Sequence, residues 1–509
     1  MEKSWKIFKK LHRWPGLVLS FILLYFAVTG IVMNHRDWFS GVDIDRKYLP
    51  EEYAYQNWNS SAVKGNLNLN ADSVLLYGNI GIWLTDSAFT RYQPFDAGLP
   101  NGSDNRKIFD IHRTPDGALY AATLFGLYGY HYPSKQWKKF NLPVDIERFT
   151  AVESIGDTVY AINRSHLFKG KSAGTETSFV QIELPVPAGY VNKVSLFATL
   201  WQIHSGEILG LPGQLFVDLL GLVTIFLSVT GIIYFFIPGW MKRRNQKNLP
   251  VAQLARTGRW NLKWHNKVGA LTFLFLILLY FTGMFLRPPL LIAIATTEVS
   301  PLKYSHLDQP NPWYDKLRDI LYDPTSDRLL LSTAEGIYWL KPNGLQPVRF
   351  ENQPPVSVMG INVFQHYSDG TFLVGSFSGL FLWHPDSPEV VNFVTGRVHQ
   401  EVSGGRPIGD FKVTGAITDC RGEIYMVDYN AGAIALHHPF SFPPMSQNVL
   451  NASKISLWNV CLEIHTGRYF SAWLGNFYIL IVPLSGLAAV VLVISGYMLW
   501  RRKYRGKKE

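Results

Sequence analysis

Four histidines stand in two matched pairs along the chain, each in a setting suited to binding a metal. His12 opens His12-Arg13-Trp14-Pro15-Gly16, and His265 opens His265-Asn266-Lys267-Val268-Gly269; in both a Gly follows four residues on and a Thr-Gly seventeen residues after the His. The second pair is Ile203-His204-Ser205-Gly206 and Ile464-His465-Thr466-Gly467. Each His stands at the edge of an apolar run long enough to cross a bilayer. One such His is ordinary at a membrane edge, and a duplication would copy a structural one. Matched pairs that converge from opposite sides are what two axial ligands of one haem iron require. Zinc wants three or four ligands at one locus, and only Cys461 lies near these runs. A proton path favours acids inside the spans, and Asp218 is almost the only one. The pattern therefore predicts two b-type haems, one on His12 and His265, the other on His204 and His465. No Cys-x-x-Cys-His is present, so covalent attachment has no support. Gly16 and Gly269, one helical turn beyond their histidines, are expected to leave room for the flat macrocycle, and Ser205 and Thr466, more weakly, to orient the neighbouring imidazoles.

The apolar runs set the architecture around these histidines. The chain has 509 residues and a formal charge of +10, and its mean hydropathy of +0.04 averages very apolar segments with polar ones. Its basic residues cluster beside the runs (Lys3 to Arg13, Lys242 to Lys263, Arg501 to Lys508), so they read as cytoplasmic flanks and not as a nucleic-acid surface. The expected order is a basic cytoplasmic N-terminus 1–13, an uncleaved span 14–34, an external β-rich segment 35–199, a span with an external His lead-in 200–238, a basic cytoplasmic loop 239–264, a third span 265–290, a second external β-rich segment 291–460, a fourth span with its lead-in 461–500, and a basic tail 501–509. The halves, about 10–240 and 262–502, are parallel repeats about an axis along the membrane normal. His35 has no counterpart, since Pro288 beside Arg287 stands there. His35 and Arg287 are the substrate-side candidates, and His35 also reads as an alternative ligand or an ordinary interfacial His. Cys420 and Cys461 both fall outside and could pair, which spacing alone does not establish. Most of the other external histidines, a set that runs from His112 to His437 and His438, read as solvated.

The external segments carry a shorter repeat. Ile108 to Phe140 and Gly360 to Phe393 each place an Asp-Gly nine residues before a Gly-Leu, with weaker copies at 74–95, 149–182, 317–350 and 411–437. Hairpin turns between short aromatic-rich strands at this period read as propeller blades. About three per half would make one composite six-bladed β-propeller. Two separate antiparallel or α+β domains are the alternative.

The stretches HRWPGLVLSFILLYFAVTG and IHSGEILGLPGQLFVDLLGLVTIFLSVTG, with the looser copies WHNKVGALTFLFLILLYFTG and IHTGRYFSAWLGNFYILIVPLSG, resemble the PepSY-associated transmembrane helix family, bacterial iron-regulated inner-membrane proteins that include siderophore reductases. The resemblance covers all four spans and the four histidines. It implies a di-haem protein of the inner membrane with both termini cytoplasmic, reducing a periplasmic ferric siderophore or similar oxidant to Fe(II), with His12, His204, His265 and His465 as haem ligands. The blade-like repeats depart from the family's usual PepSY modules. No Gly-rich dinucleotide motif lies on the inner side, so the donor would be a soluble reduced flavin, a flavoprotein reductase or quinol. The competing expectation is a membrane-anchored propeller that binds or senses a ligand without redox activity.

Overall fold

In the lipid-length runs, backbone groups must bond within their own segment, which dictates helix. The computed structural model describes residues 2–342, 344–357, 360–400, 409–420, 422–436 and 441–505. Four helices carry the apolar runs: α1 (Glu2–Asn34); then, after the short α2 (Leu196–Ser205), α3 (Gly210–Gln246) and α4 (Ala252–Met284); and, after the short α5 (Leu457–His465), α6 (Ile481–Arg505). Stretches Phe8–Asn34, Glu207–Gln246, Ala252–Met284 and Arg468–Arg502 are long and apolar enough to cross a membrane. Each of the four long helices packs on two others, in the cycle α1, α3, α4, α6.

One expectation is corrected: the basic segment 239–264, read as a loop, is mostly helical, with only a short turn between Gln246 and Ala252. His12 lies inside α1 and His265 inside α4. Gly206 (φ 85°) and Gly467 (φ 78°) stop α2 and α5 right after the histidines. That is why the motif reads His-Ser/Thr-Gly, since a left-handed residue at a helix end is cheapest as glycine. Cys461 is a buried free thiol. The side chain of Cys420, together with His437, His438 and residues 506–509, lies outside the described residues.

The chain forms two units, one of Met1–Phe39, Val191–Gln309 and Leu457–Glu509, the other of Ser40–Tyr190 and Pro310–Ser456. In the second, the described residues form six antiparallel sheets of three or four strands where the sequence repeats fall. Their first strands are β1 (Val63–Asn70), β2 (Ile108–Arg113), β3 (Phe149–Ile155), β4 (Leu317–Asp323), β5 (Ile361–Ser368) and β6 (Val413–Cys420). Each first strand contacts the next, and β6 contacts β1. Each also has a register shift at its second residue (Lys64, Phe109, Thr150, Arg318, Asn362, Thr414). Apolar clusters fill the spaces between neighbouring sheets.

Where the first strands meet, the lining is charged. Burial pushes the Glu153 carboxyl up to about 7 and pulls the His112 imidazole down to about 4. Between pH 4.5 and about 7 the folded protein keeps a proton on Glu153 that the unfolded chain has released, so this group's contribution to stability falls as pH rises. His112 acts in the opposite sense between about 4 and 6.5. Glu153→Gln is therefore expected to gain on the wild type from pH 5 to 7.5, by up to about 3 kcal/mol. Thermal melts at the two pH values check it; equal differences at both would show that the carboxyl carries no such proton.

Candidate functional site

The first unit brings the four histidines together in two pairs. The rings of His12 and His265 stand 6.2 Å apart between centroids with planes at 77°. Those of His204 and His465 stand 6.1 Å apart at 56°. Two imidazole nitrogens bound to one metal at ~2 Å each are ~4 Å apart, and ~1 Å more to each ring centre gives ~6 Å. Both separations suit two ligands on one metal.

Hydrogen bonds fix which nitrogen each ring offers. His12 Nδ1 lies 3.1 Å from the Leu492 carbonyl and 3.1 Å from Ser495 Oγ. His204 Nδ1 lies 2.9 Å from the Leu279 carbonyl. A carbonyl only accepts, so these nitrogens carry the hydrogen. His265 Nδ1 lies 2.8 Å from Thr230 Oγ1 and His465 Nδ1 3.0 Å from Thr29 Oγ1. Both threonines already donate to their own helix, to Phe226 O and Tyr25 O at 2.6 Å each, and so accept from the imidazoles. All four rings thus turn an unprotonated Nε2 away from these bonds, the arrangement by which outer partners set the tautomer of a metal-binding His.

Each ring also rests on a glycine of the helix that binds its Nδ1. A Cβ would come within 2.7 Å of His12 at Gly496, 2.6 Å of His204 at Gly283, 3.2 Å of His465 at Gly30 and 3.6 Å of His265 at Gly231. The seat is the same four times, a Ser/Thr-Gly dipeptide: Ser495-Gly496, Thr282-Gly283, Thr29-Gly30 and Thr230-Gly231. Every histidine is seated on a helix from the other half of the repeat. The seventeen-residue step from His12 to Thr29, and from His265 to Thr282, spaces the two pairs by ~25 Å of helix. Sequence reasoning sees Thr29-Gly30 and Thr282-Gly283 only as marks of span ends and misses Thr230-Gly231 and Ser495-Gly496. Their recurrence near the end of every span is the signal that could have found them.

The carriers of the His204 and His465 pair are anchored to α1. Trp458 Nε1 donates to the Met33 carbonyl at 3.0 Å, beneath the Arg36 guanidinium, which holds α5. Asn34 Nδ2 donates to the Ser205 carbonyl at 3.1 Å, which holds the end of α2. At the His12 and His265 pair, buried Asn261 donates to the Thr230 carbonyl at 2.6 Å.

Three site expectations are corrected. The Cβ directions of Gly16 and Gly269 are filled by Leu492 and Leu227, so these glycines serve helix contact and leave no gap for a ring. Thr466 donates to its own helix and Ser205 Oγ accepts from the Glu207 amide, so neither orients an imidazole. His35 is 6% exposed, with Nε2 2.6 Å from Asp218 Oδ2 and its ring stacked on Trp38; it clamps α1 to α3 with the nitrogen that a spare metal ligand would offer. His35→Ala would leave Asp218 with Asn34 as its remaining partner. It should cost about 3 kcal/mol, since breaking a buried pair strands a charge, and leave both histidine pairs standing; thermal unfolding in detergent checks it. Among the described residues, Arg287 keeps a buried Nε without a hydrogen-bond partner.

The sequence matches the PepSY-associated TM region over residues 2–237 and again over 239–503, one copy for each half. The chain belongs to the PepSY-associated TM family. Its membership covers both histidine pairs and all four seats. No curated protein matches the sequence. Among solved structures, the chain is similar to the extracellular domain assigned to a hybrid two-component system, BT4673, from B. thetaiotaomicron, at 11% identity and a TM-score of 0.37, covering 74% of this chain and 32% of that one. It is also similar to PorZ, a bacterial surface component of the type-IX secretion system of Porphyromonas gingivalis, at 11% identity and a TM-score of 0.33, covering 76% of this chain and 33% of that one. The chain thus spans about a third of each, and likenesses at this level assign it no function.

Proposed function

We propose that this member of the family is a transmembrane electron-transfer protein in which His12 with His265, and His204 with His465, each hold the iron of one haem b. What carries the reading is that all four rings use Nδ1 for hydrogen bonds while each pair stands at the separation of two ligands on one metal. Bound haem would supply reversible one-electron chemistry at each site. The chain's own residues do the rest. Leu492 O, Leu279 O, Thr29 and Thr230 hold the imidazoles in the tautomer that offers Nε2, and the seat glycines set how deep each ring lies. Arg287 places positive charge in the segment just beyond α4, which would favour an anionic acceptor.

By the distribution of basic residues, the His12 and His265 pair lies toward the cytoplasm and the other pair outside. The six sheets then form one composite propeller on the external, periplasmic side of a bacterial inner membrane. The acceptor best matched to this arrangement and to the family likeness is a ferric chelate such as a ferric siderophore, reduced to Fe(II) by one electron; the donor is a reduced flavin, a flavoprotein reductase or quinol. Outer-sphere transfer needs no general acid, base or nucleophile. The test is reduction of the purified protein with dithionite, then mixing with a ferric hydroxamate and an Fe(II) trap. The reading expects reoxidation and trapped Fe(II) together; a reduced protein left unchanged by ferric chelates would refute the assigned acceptor class.

A further inference from the structure

The six-sheet unit holds a cavity of about 420 Å³ where the first strands meet, which the redox reading leaves unused. Every one of those strands lends it a polar side chain: Lys64, Asp110, Glu153, Asp319, Asn362 and Thr418. A core left to packing alone would be apolar there, because an uncompensated buried charge is costly. Three carboxyl groups face one ammonium.

Their hydrogen bonds are incomplete. Asp110 accepts from the Val152 amide at 2.9 Å and the Tyr77 hydroxyl at 3.3 Å. Glu153 accepts from the Ser154 and Tyr322 amides at 2.7 and 3.2 Å. Among the described residues, Asp319 is met by the Ile320 amide alone, at 2.9 Å on one oxygen, and Lys64 only by Asn362 Oδ1 at 3.5 Å, the outer limit of a bond. Among the described residues, Lys64 forms no ion pair with any of the three carboxylates. An ammonium with donors to spare and a carboxylate with lone pairs to spare thus line one cavity without closing on each other. The shared bulge explains why the strands aim such groups inward, for Lys64 and Asn362 are the extra residues of β1 and β5, and a bulge re-aims the side chain it carries.

We propose that this cavity binds a small zwitterion, an amino acid or a dipeptide, with its carboxylate on Lys64 and its ammonium among Asp319, Asp110 and Glu153. The volume is within the usual range of small-molecule sites. Burial raises the pKa of all three carboxyls, and an ammonium bound among them would favour their charged forms.

The test is thermal unfolding of the full chain in detergent with free amino acids and dipeptides added one at a time, each beside its N-acetyl and amide forms. At least one free zwitterion should raise the melting temperature by a few degrees, about 3 °C at saturating concentration. Blocking either end should weaken it about tenfold or more, as losing a charged contact does. Lys64→Met and Asp319→Asn should each abolish the shift, with Asn362→Leu as the substitute should either fail to fold. No shift with any free zwitterion, equal shifts with the blocked forms, or binding retained by the variants would each overturn the proposal.

Discussion

His12→Ala or His265→Ala is expected to remove one of two haems from the purified chain, and His204→Ala or His465→Ala the other. Each site has two protein ligands on the proposed reading, so one substitution halves the ligand set. The seats make the outcome local. His265 is bonded to Thr230 on α3 and His465 to Thr29 on α1, so loss of one ring leaves the other pair's hydrogen bonds untouched. Haem content per chain should drop by half in each variant, and a double variant with one ligand lost from each pair should carry none. Unchanged haem in all four single variants would reject the ligand assignment.

The second large effect concerns residues that touch no metal. Gly283→Ala and Gly496→Ala put a methyl group 2.6 and 2.7 Å from His204 and His12, closer than real side-chain carbons come. The ring must move, and small shifts in the outer partners of metal ligands typically cost 10–100-fold in affinity. Overpacking adds about 1–3 kcal/mol of lost stability. Gly231→Ala, with 3.6 Å to His265, and Gly269→Ala, with 3.6 Å to Leu227, should keep both haems. Haem retention through a desalting column would rank the four. Equal retention across the series would show that the glycines do not seat the rings.

The histidine pairs and the six sheets are readable from sequence for the same reason, repetition. His12 and His265 stand at one position in two copies of a unit, and Asp-Gly turns recur with the hairpins. What sequence does not show is which helix face meets which. Thr230-Gly231 and Ser495-Gly496 lie in apolar text, marked only by their recurrence near the span ends, and packing alone shows that His265 and His12 sit on them. Gly16 and Gly269 mislead because position relative to a His on its own helix is legible, while the leucine opposite comes from another helix. His35 looks like a spare ligand beside the membrane, and only the fold reveals Asp218, 183 residues away in sequence, as its partner. The cavity in the six-sheet unit is hidden likewise, since Lys64 and Asp319 belong to different halves of the chain.

A reduced-minus-oxidised absorption spectrum of detergent-purified protein, with extracted haem quantified per chain, separates haem ligation from helix packing as the role of the four histidines. Ligation predicts low-spin, bis-histidine b-type bands and two non-covalent haems per chain. Protein purified without haem from cells that make it in excess would leave the four seated histidines as helix-packing groups.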